Sequence, residues 1–190
     1  VVENEKIVVV EKKNWVWKVV AIAAAVAALT VAVIAICKKL SKKNEELEEL
    51  LEKLVSKGKY ELACFVALAM YGGRRKSELC RFKVSDFDQD KLVCDNALYK
   101  SSPILTKGGK YLECYTLAKK FKPYLDLWMN HRAINNISSE WLFPNKTDQA
   151  KHVELTSVNS WANTLSRLSN KDFYFHALRH YYCSALIRAG

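Results

Sequence analysis

The sequence predicts an α+β fold, mainly α-helical, with a small antiparallel sheet and a single membrane-spanning helix ahead of it. Three observations carry this. A charge-free run fills residues 19–37, and apolar residues recur at helical spacing through most of the chain beyond it. Two β-rich stretches also flank a Gly-Gly pair near the middle of the chain.

The run "VVAIAAAVAALTVAVIAIC", Val19 to Cys37, has Thr30 as its one polar residue. As a helix rising about 1.5 Å per residue it spans about 28 Å, close to the bilayer hydrocarbon thickness of about 30 Å. Trp15 and Trp17 stand at one end, where interfacial aromatics belong. Lys38, Lys39, Lys42 and Lys43 follow the other end and slightly outnumber Lys12, Lys13 and Lys18, which puts the C-terminal part on the cytoplasmic side. A buried Ala-rich helix is the alternative. The division expected is a tail over 1–14, a transmembrane helix over 15–40 and a domain over 41–190.

"SKKNEELEELLEKLVSKGK" reads as a charged amphipathic helix capped by Ser41 or Asn44, with Leu47, Leu50, Leu51 and Leu54 on one face and Gly58 ending it. "YELACFVALAMY" is apolar nearly all round, as a helix at the centre of a core would be. "GGRRKSEL" is a turn into a short basic helix. "KLVCD" and "ALYKSSPILT" read as strands, "KGGK" as a tight turn and "YLECYTL" as the returning strand. A long helix forms around Pro123, which starts or kinks it. "SEWLFP" is an apolar anchor. "LTSVNSWANTLSRL", capped by Thr156 or Ser157, and "FHALRHYYCSALIRAG" supply the last helices.

The net charge of +10 favours an acidic partner, nucleic acid or an anionic membrane. Six cysteines without a CxxC argue against a zinc ribbon or a secreted disulfide scaffold; most read as small core residues in a reducing cytoplasm. The first residue is not Met and the last lies inside a helical pattern, which reads as a sequence clipped at one or both ends.

Chemistry concentrates in three places. His176, Arg179 and His180 share one helical face through spacings of three and four. The histidine pair has zinc-ligand spacing, but no glutamate base or third ligand accompanies it and Arg179 sets a fixed charge beside it, so no metal is expected. Arg74, Arg75, Lys76, Arg81 and Lys83 crowd around a turn-to-helix junction suited to phosphate, with a solvated basic surface as the plainer reading of Arg74 and Lys76. Lys107 and Lys110 flank the tip of the Gly-Gly turn.

In this order, "GGRRKSEL", "TKGGK" and "HALRH" resemble the tyrosine recombinase (phage integrase) family, from about residue 44 to the end. "VSDFD" and "WLFP" also match its layout. The resemblance implies a tyrosine-recombinase-like catalytic domain that cuts and rejoins double-stranded DNA through a 3′-phosphotyrosine, without metal or other cofactor. It implies further subunits, four on paired sites, and a bacterial or phage origin in a mobile element.

Residue by residue, the resemblance makes Arg75 and Arg179 the clamp on the scissile phosphate. Bidentate guanidinium bonding and charge stabilisation of the pentavalent transition state explain why arginine is needed there. Lys107 would protonate the leaving 5′-oxygen, with Lys110 and Lys100 as weaker substitutes. His176 would be a general acid/base and phosphate ligand, and His180 a supporting residue. Arg74, Lys76, Arg81 and Lys110 would contact DNA. The family's nucleophilic tyrosine belongs further along than Gly190; Tyr181 and Tyr182 do not match its position and read as packing or DNA-facing residues. The chain as given is therefore expected to be catalytically incomplete, and a membrane-like segment stands where a core-binding domain is usual. A non-catalytic DNA-binding remnant and a membrane-anchored basic cytoplasmic protein are the alternatives.

Overall fold

The chain divides into two compact units, Val1–Glu45 and Glu46–Gly190, and its first helix, α1, is Val2–Ser56. The computed structural model describes residues 2–87, 98–105 and 109–189. The expected cap at Ser41 or Asn44 is absent. Ser41 sits inside the helix, where its hydroxyl donates to Glu45 Oε1 at 3.2 Å, an i,i+4 bond that satisfies it without ending anything. In the first unit the large apolar side chains from Trp15 to Leu40 are exposed.

The second unit opens with the end of α1, which buries Leu47, Leu50, Leu51 and Leu54. These are the positions of the sequence-derived stripe, at the helical spacing that lines one face. The chain turns at Gly58, whose φ of +65° favours glycine, and enters α2, Tyr60–Gly72. Every residue of α2 from Leu62 to Gly72 is buried. Its apolar character on all sides follows from neighbours on all sides, namely α4, α6 and strand β2.

Short helix α3, Lys76–Leu79, and a 3₁₀ turn, Val84–Asp86, follow. Strands β1, Leu98–Leu105, and β2, Tyr111–Leu117, form an antiparallel pair whose register shifts between Ser101 and Ile104. The first predicted strand, "KLVCD", lies outside the described residues. Helix α4, Ala118–Ile134, begins directly after β2, so Pro123 lies within it and does not start it.

The "WLFP" anchor is held by a buried arginine. Arg132, at the end of α4, donates to the carbonyls of Ser139 (2.5 Å), Trp141 (2.7 Å) and Leu142 (3.0 Å), while Leu142 and Phe143 are fully buried. Helices α5, Leu155–Ser169, and α6, His176–Ala189, complete the unit. Glu154 takes the N-cap position of α5; Thr156 and Ser157 lie inside the helix. Cys64, Cys80 and Cys114 are core residues as expected, but Cys37 and Cys183 are exposed.

Phe65 of α2 ties these elements together. Its ring meets Phe143 at 5.0 Å, Trp161 of α5 at 5.1 Å and Phe175, just before α6, at 5.5 Å, each edge to face. Phe65→Ala should therefore destabilise the second unit by about 3–5 kcal/mol. Denaturant unfolding measures this, and a loss under about 1 kcal/mol would contradict the packing described.

Candidate functional site

The sequence places Arg75 and the His176–Arg179 pair a hundred residues apart. Folding brings them to one cavity of about 450 Å³ at the C-terminal end of α2. Arg74, Arg75 and Lys76 line one side, and Asn159 and Asn163 of α5 contribute a wall. Phe175, His176 and Arg179 close it. Four of the lining residues are cationic and none is acidic, so the opening presents concentrated positive charge.

Local structure sets each side chain. Helix α2 ends at Gly73 in the left-handed region (φ 63°), with its N–H donating to the Ala69 carbonyl. A Cβ on Gly73 would also lie 2.2 Å from the Tyr182 ring, so both conformation and space require glycine. The chain leaves this turn extended at Arg75, whose backbone N–H donates to Glu78 Oε2 at 3.1 Å. Glu78 Oε1 stands 3.5 Å from the Arg75 guanidinium, which remains largely exposed while the Glu78 carboxylate is nearly buried. The carboxylate thus steadies the arginine from below and leaves its other donors facing the cavity.

On α6, Leu178, Tyr181 and Ala185 face the core, which turns His176 and Arg179 outward. His180 is exposed and its ring stands 5.2 Å from that of His176, nearly perpendicular to it; it is a neighbour of the cavity and not part of its lining. Lys76 Nζ donates to Asn159 Oδ1 at 2.8 Å. Arg81 and Lys110 are exposed. Lys107 lies outside the described residues. Lys100 is committed to Glu113 at 2.5 Å, an attachment that holds the Glu113 carboxyl below its usual range. Tyr181 is buried with its hydroxyl donating to Glu48, and the half-buried Tyr182 hydroxyl donates to the Tyr115 carbonyl at 3.0 Å. Among the described residues no group of three or more His, Cys, Asp or Glu side chains gathers to hold a metal ion.

A model of the phage integrase family matches residues 40–190. The chain belongs to that family, the tyrosine recombinases. Among solved structures, this integrase-family chain is similar to the XerA recombinase at 20% identity, covering 77% of this chain and 50% of that one, with a TM-score of 0.59. The XerH site-specific recombinase bound to its difH substrate, in a pre-cleavage complex, gives 22% identity, 77% and 42% coverage and a TM-score of 0.56. The Tn1549 transposon integrase in complex with circular intermediate DNA gives 16%, 79%, 53% and 0.50. These likenesses establish a shared fold, and the chain spans about half or less of each of these recombinases. No curated protein matches the sequence.

One group that sequence reading passed over is Glu61, in the first turn of α2. It lines a second cavity of about 580 Å³ at the opposite end of that helix, with Tyr60, Trp128, His131, Lys146 and Trp161. Burial raises its carboxyl from the usual 4.5 to about 7, against the opposing pull of Lys146 and Arg132. The folded state therefore binds this proton more tightly than the unfolded state. The resulting stabilisation is present below about pH 4.5 and is lost as pH rises towards 7. Glu61→Gln should flatten the fall in Tm across that window. An unchanged slope would show that Glu61 is not its source.

Proposed function

We propose that residues 41–190 form part of the catalytic domain of a site-specific DNA recombinase, with Arg75, His176 and Arg179 gripping a scissile phosphate. The observation that carries this is their convergence on one cation-lined cavity from both ends of the domain. Two guanidinium groups offer fixed forks to the non-bridging oxygens and offset the charge that grows as phosphorus becomes five-coordinate. His176 stands beside them for proton transfer, and Lys107, between β1 and β2 in the sequence, is the proton donor to the leaving 5′-oxygen. Lys76, Arg81 and Lys110 supply backbone contacts around this centre, and His180 supports His176. Double-stranded DNA is the partner, and further copies of the protein assemble on paired sites.

The attacking hydroxyl does not come from Tyr181 or Tyr182. The first is buried against Glu48 and the second is bonded to β2 beneath Gly73. The 190-residue chain should bind duplex DNA through this cavity. Affinity should fall steeply with salt, with a log–log slope of about 0.9 per neutralised phosphate. Arg75→Ala and Arg179→Ala should each weaken binding about 10- to 100-fold, the range for a charge-assisted hydrogen bond. Salt-independent binding, or no loss in either variant, would remove this reading.

A second proposal concerns residues 15–40. Their exposed side chains and a mean hydropathy of 2.9 over the most apolar window support a membrane-spanning helix that anchors the recombinase domain on the cytoplasmic side. Expressed in bacteria, the chain should sediment with membranes and resist alkaline extraction, and deletion of residues 1–40 should release it. Recovery of the intact chain in the supernatant would refute the span.

A further inference from the structure

Two side chains, Arg74 in the lining of the cationic cavity and Tyr182 on the helix that carries Arg179, grip the same edge of strand β2. Arg74, next to Arg75, donates from Nη2 to the Glu113 carbonyl at 2.6 Å. Tyr182, three residues after Arg179, donates from its hydroxyl to the Tyr115 carbonyl at 3.0 Å. Carbonyls two residues apart on a strand point the same way, so both bonds reach one edge of one strand. The two grips are neighbours as well. Burial raises the Tyr182 phenol and the Arg74 charge opposes the rise, while the Tyr182 ring lies against Gly73.

The grasped strand is stiffened from its other side. Glu113, whose carbonyl accepts from Arg74, uses its carboxylate to accept from Lys100 of β1 at 2.5 Å and from the Tyr115 hydroxyl at 2.7 Å. Gly72 approaches the same strand so closely that a Cβ there would stand 3.3 Å from Thr116 Oγ1. Arg74 is thus half-buried, with Nε out of water and its fork turned to β2.

We propose that Arg74 and Tyr182 are positioning residues: paired struts that hold strand β2, and with it the β1–β2 pair, at a set place relative to the Arg75–His176–Arg179 cavity. This rests on reading that cavity as the phosphate site. Without the struts the cavity keeps its arginines while the strand pair moves independently of them. Because the struts leave from the residue before Arg75 and from the helix that carries Arg179, they keep strand pair and clamp in register.

Tyr182→Phe is the decisive variant, since it keeps the ring on Gly73, changes no charge and removes only the bond. In the full 190-residue chain, amide hydrogen exchange over Glu113–Leu117 should rise at least about tenfold, with α2 and α4 unchanged. The salt slope for a duplex oligonucleotide should fall by about one, as Lys110, just ahead of β2, loses its phosphate. Arg74→Ala should raise the same exchange, and Arg74→Lys, which can still donate to the carbonyl, should restore protection. Unchanged exchange on β2 in Tyr182→Phe overturns the proposal, and so does exchange that rises equally across the core. Salt-independent binding by the parent chain would instead remove the phosphate reading, leaving the struts to be judged by exchange alone.

Discussion

Burial of helix α2 on every side is the constraint from which the rest of the second unit follows. Eleven consecutive residues, Leu62 to Gly72, have no face left for water, so the fold must supply cover in all directions. Helices α4 and α6 and strand β2 provide it, and Phe65 draws in Phe143, Trp161 and Phe175. A helix held this way ends at a fixed point. That end leads through Gly73 into Arg74 and Arg75, so burial of α2 sets where these cavity-lining arginines begin.

The distribution of carboxylates completes the site without entering it. A chain with a net charge of +10 could repel itself wherever its cations gather. Here Glu78 lies beneath Arg75, Glu113 holds Lys100, and Glu48 and Glu46 pair with Lys120 and Lys171. None of them lines the cavity. Each such pair is exposed on at least one partner and contributes little to stability; Glu78 steadies a cavity arginine from outside the lining, and the other three pair with lysines elsewhere. Asn159 does similar work with Lys76, fixing a cation against α5 through a neutral partner.

Much of this was legible in the residues. The apolar stripe of Leu47, Leu50, Leu51 and Leu54, the all-round burial of α2, the β1–β2 pair and the outward face of His176 and Arg179 all follow from periods of 3.6 and 2, which are local properties. Less legible were the helix boundaries. Ser41 and Asn44 have the chemistry of a cap, yet the helix runs through both: Ser41 is satisfied by Glu45, and Asn44 is buried with its amide nitrogen unbonded. Glu154 likewise precedes the residues expected to cap α5. Glu61 gave no signal, since a glutamate in a first helical turn is ordinary until the elements around it remove its water.

The sequence by itself determined which residues carry charge, where helical faces lie, and that Arg75 and the His176–Arg179 pair belong to one family pattern. Tertiary structure alone decided what those residues touch. Arg74 and Arg75 are adjacent, chemically identical and both at the cavity, yet one is steadied by Glu78 three positions on and the other bonds a strand carbonyl 39 positions away. Tyr181 and Tyr182 are likewise adjacent, and one is buried against Glu48 while the other lies over Gly73. Periodicity assigns a side chain to a face. Its partner there comes from a distant segment, and that pairing is fixed only when the core brings the two together.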